Sequence, residues 1–430
     1  MARPRRGNRA DFGKIFTADL NGRIRGLQVN ADNLENIISD GIGFDGSSIA
    51  GLGTVDESDR ILMPVPESQY MLHIDNDKIQ AFVGKIYEKH GRRAMSDSRA
   101  VLERVVNDAR SQGFTFSVGP EHEFFLLNSE EFSKYMHTDM SDYFHLDPYG
   151  SGDIVRKEII RTLTKCGIGF EKAHHEVTPS QHEINIAPAD PLTAADTTLL
   201  VRYIIKSIAR SNGLYATFMP KPFEGENRNA FHIHLSMHDE NGKNLFYNKR
   251  AKYNLSRLAR QFMGGVLKYA RETSIIMASS CNSYKAYVMD REAPISIGWG
   301  IKNRSSMIRI PYSAGPGNMR IEIRNPDPSG NVYLQLSALI ASGLRGIKDG
   351  LDCGEPDMGS TYRRKQGKVF DRGLLPKTTF EALVDAQESI FLKELLGDYI
   401  YNKYLTLKID EWEEHRTQLT LLEHKKYLSI

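Results

Sequence analysis

The sequence is short of cysteine and tryptophan, holding three of the first and two of the second in 430 residues. Cys166, Cys281 and Cys353 are far apart and form no CxxC pair. That excludes a zinc knuckle and a disulfide frame, and points to a reducing, cytoplasmic setting. No apolar run nears the roughly 18 residues that a spanning helix needs. Charge of one sign is also missing, since 56 basic and 54 acidic side chains leave a net +2. Such a balance gives neither nucleic acid nor membrane a reason to bind. The opening MARPRRGNRA carries four arginines but no apolar stretch. It reads as a basic arm over residues 1–11, not as a secretory signal. No GxxxxGK[ST] loop is present, so a nucleotide would have to bind by another route.

What is there suits a globular chain with two domains, 26% charged and 40% hydrophobic. The first part reads as short strands: KIFTADL and IRGLQV around an NGR turn, then MLHI and QAFVGKIYE. Between them GIGFDGSSIAGLG, rich in glycine and serine, reads as a loop. The texture changes near residue 96. DSRAVLERVVNDARSQG shows helical apolar spacing and a closing glycine. A boundary there divides residues 1–95 from residues 96–430. Beyond it, strand-like segments alternate with helices. DIVRKEIIRTLTKCG, TAADTTLLVRYIIKSIARSNG, LSRLARQFMGGVLKYARE and NVYLQLSALIASGLRGIKDG each read as a helix, and so does most of the chain after residue 379.

Four strand-like segments each show one polar and one apolar face. Glu121 and Glu123 lie two apart in GPEHEFF, and so share a face. His232, His234 and Ser236 alternate with apolar residues in FHIHLS, as do Arg320, Glu322 and Arg324 in MRIEIRNP. Glu183 and Asn185 close HHEVTPSQHEIN. A solvated face would draw freely on Lys, Thr, Ser and Gln; these use Glu, His and Arg. If they line one cavity, the carboxylates repel one another unless cations neutralise them. Mg²⁺ or Mn²⁺ suits carboxylate oxygen with an occasional imidazole. Arginines among the acids suggest a phosphate. Together these are the usual equipment of phosphoryl transfer.

With FDGSSIAG, GPEHEFF, HHEVTPSQHEI, ATFMPKPF, FHIHLS, NSYK, EAP, NRSSMIRIP and RIEIRNPDPSGNVYLQLSALI in order, the chain resembles the type I glutamine synthetases and their γ-glutamyl-amine ligase relatives. The resemblance runs from about residue 12 to the end. It implies an α+β fold with a small β-grasp-like N-terminal domain. The catalytic domain would be a curved antiparallel sheet backed by helices. It also implies stacked rings of identical subunits with active sites between neighbours. The implied activity is an ATP-dependent carboxylate–amine ligase working through an acyl phosphate, with two or three Mg²⁺ or Mn²⁺ ions and a small acid plus ammonia or an amine as substrates.

Carried over residue by residue, Glu123, Glu176 and Glu183 match the ligands of one ion, and Glu121, His232 and Glu322 those of a second. His174 and His182 read as structural, and His175 as packing or support beside a ligand. Glu171, His234 and Ser236 match nucleotide contacts. Arg304, Arg309 and Arg320 match groups that handle phosphate. Asp45 and Ser48 match a latch offered across the subunit interface, with Asp45 deprotonating the ammonium. Tyr143 would face the amine, and Glu292 matches a flap carboxylate over the acyl intermediate.

The family pattern is broken in two places. The arginine that follows NSYK and holds the α-carboxylate of glutamate is Ala286 here. In NRNAFH, Asn227 is kept but Arg228 and Ala230 stand where glycines are usual. Arg324, another carboxylate-contacting arginine, is retained. Either Arg228 restores the charge missing at Ala286, or the acid is not glutamate or is held differently. The second reading is preferred. Pro188 and Gly317 depart from the pattern near the expected nucleotide pocket. Glutamine synthesis from glutamate and ammonia is the alternative activity, and a non-catalytic member of the family is the alternative of another class.

Overall fold

A computed structural model describes residues 10–53, 56, 58–88, 91–129, 136–287, 293–312, 315–359, 371 and 373–430. Glu292 and most of the basic arm lie outside the described residues. The fold is α+β and contains two sheets. In the first, β1 (Phe12–Ala18) lies between β2 (Ile24–Asn30) and β6 (Asp77–Glu88), and is parallel to β6. The order is β2-β1-β6-β4-β3, with β4 at Asp59–Pro64 and β3 at Ile42–Asp45; β5 (Tyr70–Ile74) also pairs with β6. The glycine-rich segment expected as a loop therefore opens with a strand. Gly41 makes this possible: with φ +76° it turns α1 (Leu34–Asp40) into β3, and a Cβ there would meet Ile61 at 2.5 Å.

The first sheet ends at Glu88 and α2 (Ser98–Ser111) begins after Asp97, whose carboxylate caps the Arg99 N–H. The second sheet is built on β7 (Thr115–Leu127), thirteen residues long. With β8 (Phe170–His175), β9 (Gln181–Ile186), β10 (Tyr215–Thr217), β11 (Ile233–His238), β12 (Trp299–Ile301), β13 (Ile308–Ile310) and β14 (Ile321–Ile323), it has the order β12-β13-β14-β11-β7-β9-β8. β10 also pairs with β7. Neighbours are antiparallel except β12 and β13, which run parallel.

Helices cover the apolar face of this sheet. The helices after α2 are α3 (Ser151–Lys165), α4 (Pro191–Ser211), α5 (Arg257–Lys268), α6 (Ala270–Met277), α7 (Val332–Lys348), α8 (Thr379–Gln387), α9 (Ile390–Thr417) and α10 (Leu421–Tyr427), the last of which buries no residue. Val118, Ile233, Leu235, Ile321 and Ile323 share one core with Leu336, Leu339 and Ile340 of α7 and Phe262 of α5. Phe16 and Leu72 of the first sheet pack with Leu200, Ile204 and Ile205 of α4, so α4 joins the two sheets. One expected helix is two: Tyr269, at φ −91° and ψ 9°, breaks LSRLARQFMGGVLKYARE between α5 and α6. No helix among the described residues is long and apolar enough to cross a membrane.

Candidate active site

Strand register gathers the polar residues on one face. Residues directly opposite in a ladder point the same way. Glu123 is opposite Glu183, which is opposite His174 on its other side. Glu121 is opposite Asn185, while His234 faces Gly119 on one side and Glu322 on the other. Glu322 in turn faces Arg309. These residues share one face of the sheet from β13 through β14, β11, β7 and β9 to β8. His232, Arg320 and Arg324 sit just outside their ladders, where the strand pattern had placed them inside. They still reach the face. The His232 carbonyl accepts the Glu121 N–H at 2.9 Å, and the Arg320 Nε lies 3.2 Å from His234 Nδ1.

The carboxylates are buried and close together. Glu121, Glu123, Glu176, Glu183 and Glu322 are each 8% exposed or less. His232 Nδ1 lies 3.0, 4.0 and 3.9 Å from oxygens of Glu121, Glu123 and Glu322. Four groups among the described residues bring ligand-type atoms within 4.8 Å of one another: Glu121–Glu183–His232, Glu121–His234–Glu322, His174–Glu176–Glu183 and Asp139–His175–His182, the last without any of the glutamates. His174, read from sequence as structural, therefore stands among the acids. Glu123 is in none of these groups; its Oε2 accepts the Ala230 N–H at 2.7 Å and the Gln181 Nε2 at 3.3 Å.

Burial and charge pull these groups apart. Burial, then neighbouring Glu183, pushes Glu123 up to about 8. Burial would also raise Glu121, but hydrogen bonds from His232 and His234 outweigh it and hold the group well below the usual carboxylate range. For Glu322 burial is outweighed by Arg324, which takes it down to about 2. Arg324 and Arg309 grip its two oxygens, one each. A carboxylate pushed to about 8 beside other acids is a site short of positive charge. The donors are oxygens with an occasional imidazole, the set expected for a hard divalent ion.

A cavity of about 410 Å³ adjoins this face and is lined by Glu121, Glu171, His234, Ser236 and Arg320. It brings together the three residues matched to nucleotide contacts, Glu171, His234 and Ser236, with Arg320, one of those matched to phosphate handling. Pro188 and Gly317, the two departures near that pocket, also line it. Gly317 has open space where a Cβ would stand.

At the other end of the face, the Tyr143 hydroxyl is 3.5 Å from Arg304 Nη2, and its ring meets His174 edge-on at 5.5 Å. Asp45 and Ser48 lie exposed on the first sheet and the loop that follows it, where the Asp45 carboxylate accepts the Ser47 N–H at 2.8 Å. The Ser47 hydroxyl and then its N–H, both hydrogen-bonded to the carboxylate, lower the Asp45 pKa. Asn227 donates its N–H to Thr178 Oγ1 at 3.3 Å. Arg228 is only 4% exposed. Its guanidinium donates to the Arg324 carbonyl and lies 5.7 Å from the centre of the Tyr287 ring. Ala286 is buried.

Two polar residues that the sequence left unassigned, Gln181 and Asn229, organise the site together with Asn185, which strand alternation had placed on its polar face. Gln181 Nε2 donates to Glu123, to the Arg228 carbonyl at 2.7 Å and to Asn229 Oδ1 at 3.1 Å. Asn185 Nδ2 donates to Glu121 at 2.6 Å. Asn229 Nδ2 donates to the Met219 carbonyl at 2.9 Å. The signal for Gln181 was present, because it stands two and four residues before Glu183 and Asn185 on one strand face.

The family described as "Glutamine synthetase, catalytic domain" matches residues 95–427, and "Glutamine synthetase, beta-Grasp domain" matches residues 12–89. The chain belongs to the glutamine synthetase family. It is 38% identical over 421 residues to a glutamine synthetase of Methanosarcina mazei, covering 96% of this chain and 94% of the relative. It is 36% identical over 422 residues to one of Staphylococcus aureus, with the same coverage. Among solved structures it resembles a "GmaS/ADP complex" with a TM-score of 0.88 and 28% identity, over 98% of this chain and 97% of the other. A Plasmodium falciparum glutamine synthetase, at 22% identity, shares the fold with a TM-score of 0.88, over 99% of this chain and 97% of the other. The small β-grasp domain and the curved catalytic sheet are those of this family. The protein is an ATP-dependent carboxylate–amine ligase with candidate metal sites.

Proposed function

We propose that this ligase joins ammonia or an organic amine to an acid that is not held as glutamate usually is. The observation that carries the proposal is the pair Arg228 and Ala286. A buried guanidinium sits beside the acid face where the family has glycine, and an uncharged side chain stands where it has arginine. Burial raises the Glu123 pKa, but the Arg228 charge pulls it back, which marks Arg228 as an electrostatic neighbour of the site. The GmaS likeness supports a branch of the family beyond glutamine synthesis.

The residue roles are those carried over from the family resemblance, and the geometry supports them. Glu123, Glu176 and Glu183 would hold one divalent ion, with His174 close by; Glu121, His232 and Glu322 would hold a second. When bound, Mg²⁺ or Mn²⁺ supplies positive charge against the phosphates of ATP. Glu171, His234 and Ser236 line the nucleotide cavity, and Arg304, Arg309 and Arg320 steady the transferred phosphoryl group. A substrate carboxylate oxygen attacks the γ-phosphorus and ADP leaves. The amine nitrogen then attacks the acyl carbon and phosphate leaves. Before that step the ammonium must lose a proton, the task assigned to Asp45 with Tyr143 nearby. Glu292 would close over the intermediate and exclude water. Asp45 and Ser48 are exposed on the first sheet, so a second copy of the chain would present them, in a ring with sites between subunits.

We assign residues 1–95 to the β-grasp domain and 96–430 to the catalytic domain, with the whole in the cytoplasm, where three buried free thiols stay reduced. A second reading, glutamine synthesis itself, is favoured by relatives of that name at 36–38% identity. The deciding experiment measures phosphate release from ATP across a panel of acids and amines, with the amide identified by mass spectrometry. Poor saturation by glutamate and a better acid among its analogues is the expected result. Tight glutamate binding with efficient glutamine formation from ammonia would sink the proposal and leave Arg228 as a relocated charge.

A further inference from the structure

A cleft of about 1160 Å³ lies between the first sheet, α4 and α9, away from the nucleotide cavity. Its basic wall includes Lys14, Arg202 and Lys206. Arg202 is 4% exposed, yet its Nε and Nη2 have no hydrogen-bond partner among the described residues. The Phe231 and Phe218 rings lie 5.0 and 5.8 Å from its guanidinium carbon. Rings offset part of the cost of burying the charge but leave the N–H donors unused. Burial pushes the Arg202 pKa down to about 10, against the pull of Asp327. Lys206 Nζ stands 5.8 Å from the centre of the same Phe218 ring, and its side chain is exposed at the cleft. Lys14 Nζ donates to the Tyr203 hydroxyl. Neither Arg202 nor Lys206 is ion-paired with a carboxylate of the described residues.

Two neighbouring cations, one of them buried with idle donors, are an arrangement that wants an anion. Asp410, Glu411 and Glu414 of α9 line the cleft too. They disfavour a large polyanion and limit the guest to a small one. We propose that this cleft is a second ligand site, distinct from the catalytic centre, which binds a small carboxylate or phosphate anion through Arg202 and Lys206. The known reaction makes no use of these residues, so the site is suited to sensing a metabolite.

The test uses the full-length, metal-free protein. Its unfolding midpoint is followed with inorganic phosphate and, separately, with succinate, each against chloride at equal ionic strength. At least one should raise the midpoint in a saturable way, and which one does so separates phosphate from carboxylate guests. Arg320→Ala, which alters the nucleotide cavity, should keep the response. Lys206→Gln should weaken the apparent affinity about tenfold or more, as loss of one charge-assisted contact requires. Lys206→Arg should restore it, and kcat without added anion should be unchanged in both. No response to either anion, an undiminished response in Lys206→Gln, or loss of the response in Arg320→Ala would each overturn the assignment.

Discussion

Consider replacing Glu322 by Gln in the metal-free protein. Glu322 is 1% exposed and bridges Arg324 and Arg309, one guanidinium on each oxygen. The amide keeps the shape but removes the charge, and turns an N–H₂ toward one of the two cations. The carboxyl titrates at about 2 in the fold, against 4.5 for the free side chain, because Arg324 outweighs the effect of burial. A depressed acid stabilises the fold above its unfolded pKa and loses that contribution as pH falls through the folded one. The shift is worth about 3 kcal/mol at pH 7 and about 1 kcal/mol at pH 3. Breaking a buried ion pair independently suggests about 3–5 kcal/mol. Glu322→Gln should therefore cost about 3 kcal/mol at pH 7, and less than half that at pH 3. Urea unfolding in chelator, read by tryptophan fluorescence, measures both; Trp299 is buried in the same core. A penalty below about 1 kcal/mol at pH 7, or one that does not shrink on acidification, would refute this account of the pair.

Chelator should abolish ligase activity, and Glu123→Ala or Glu176→Ala should do the same; full metal-free turnover by Glu176→Ala is the result that contradicts the metal assignment. An Asp45→Ala subunit and an Arg304→Ala subunit should each be inactive alone and partly active when mixed, as followed by initial rates on verified mixed rings. No recovery would place both residues in one chain's site. Asp139 accepts His175 Nε2 at 3.0 Å and the Ser180 and Ser141 N–H groups at 3.0 Å. Burial opposes these bonds, but together they hold its pKa below the usual range. Its stabilisation should therefore be present at neutral pH and fade in acid, and thermal melts of Asp139→Asn should differ from wild type at pH 7 more than at pH 3.

The two-residue period of β7, β9, β11 and β14 made the catalytic face legible, because alternation alone states which side chains point together. Family, fold class and reaction class followed from the motifs. Other features were invisible for definable reasons. β3 is only four residues long, IGFD, set among glycines, and is held by pairing with β4, so its glycines suggested a loop. The break at Tyr269 turns a smooth apolar pattern into two helices without any proline or glycine at that position. The orientation of Arg228 depends on a carbonyl 96 residues away and on the Tyr287 ring. No local pattern contains such information. His174 reads as structural in the sequence, yet the β8–β9 register puts it opposite Glu183.

Glu121, Glu123, Glu183 and Glu322 stand on β7, β9 and β14, strands paired on both edges, whereas Arg228 lies in the connection between β10 and β11 and Ala286 in a short 3-10 turn between α6 and β12. A connection can change length and chemistry without disturbing a ladder; a paired strand cannot. On the proposed roles, the half of the site that activates the acid is thereby insulated from the half that selects it. Descendants of one ancestral enzyme can exchange one acid or amine for another through a few connecting residues while the phosphoryl-transfer apparatus is inherited intact.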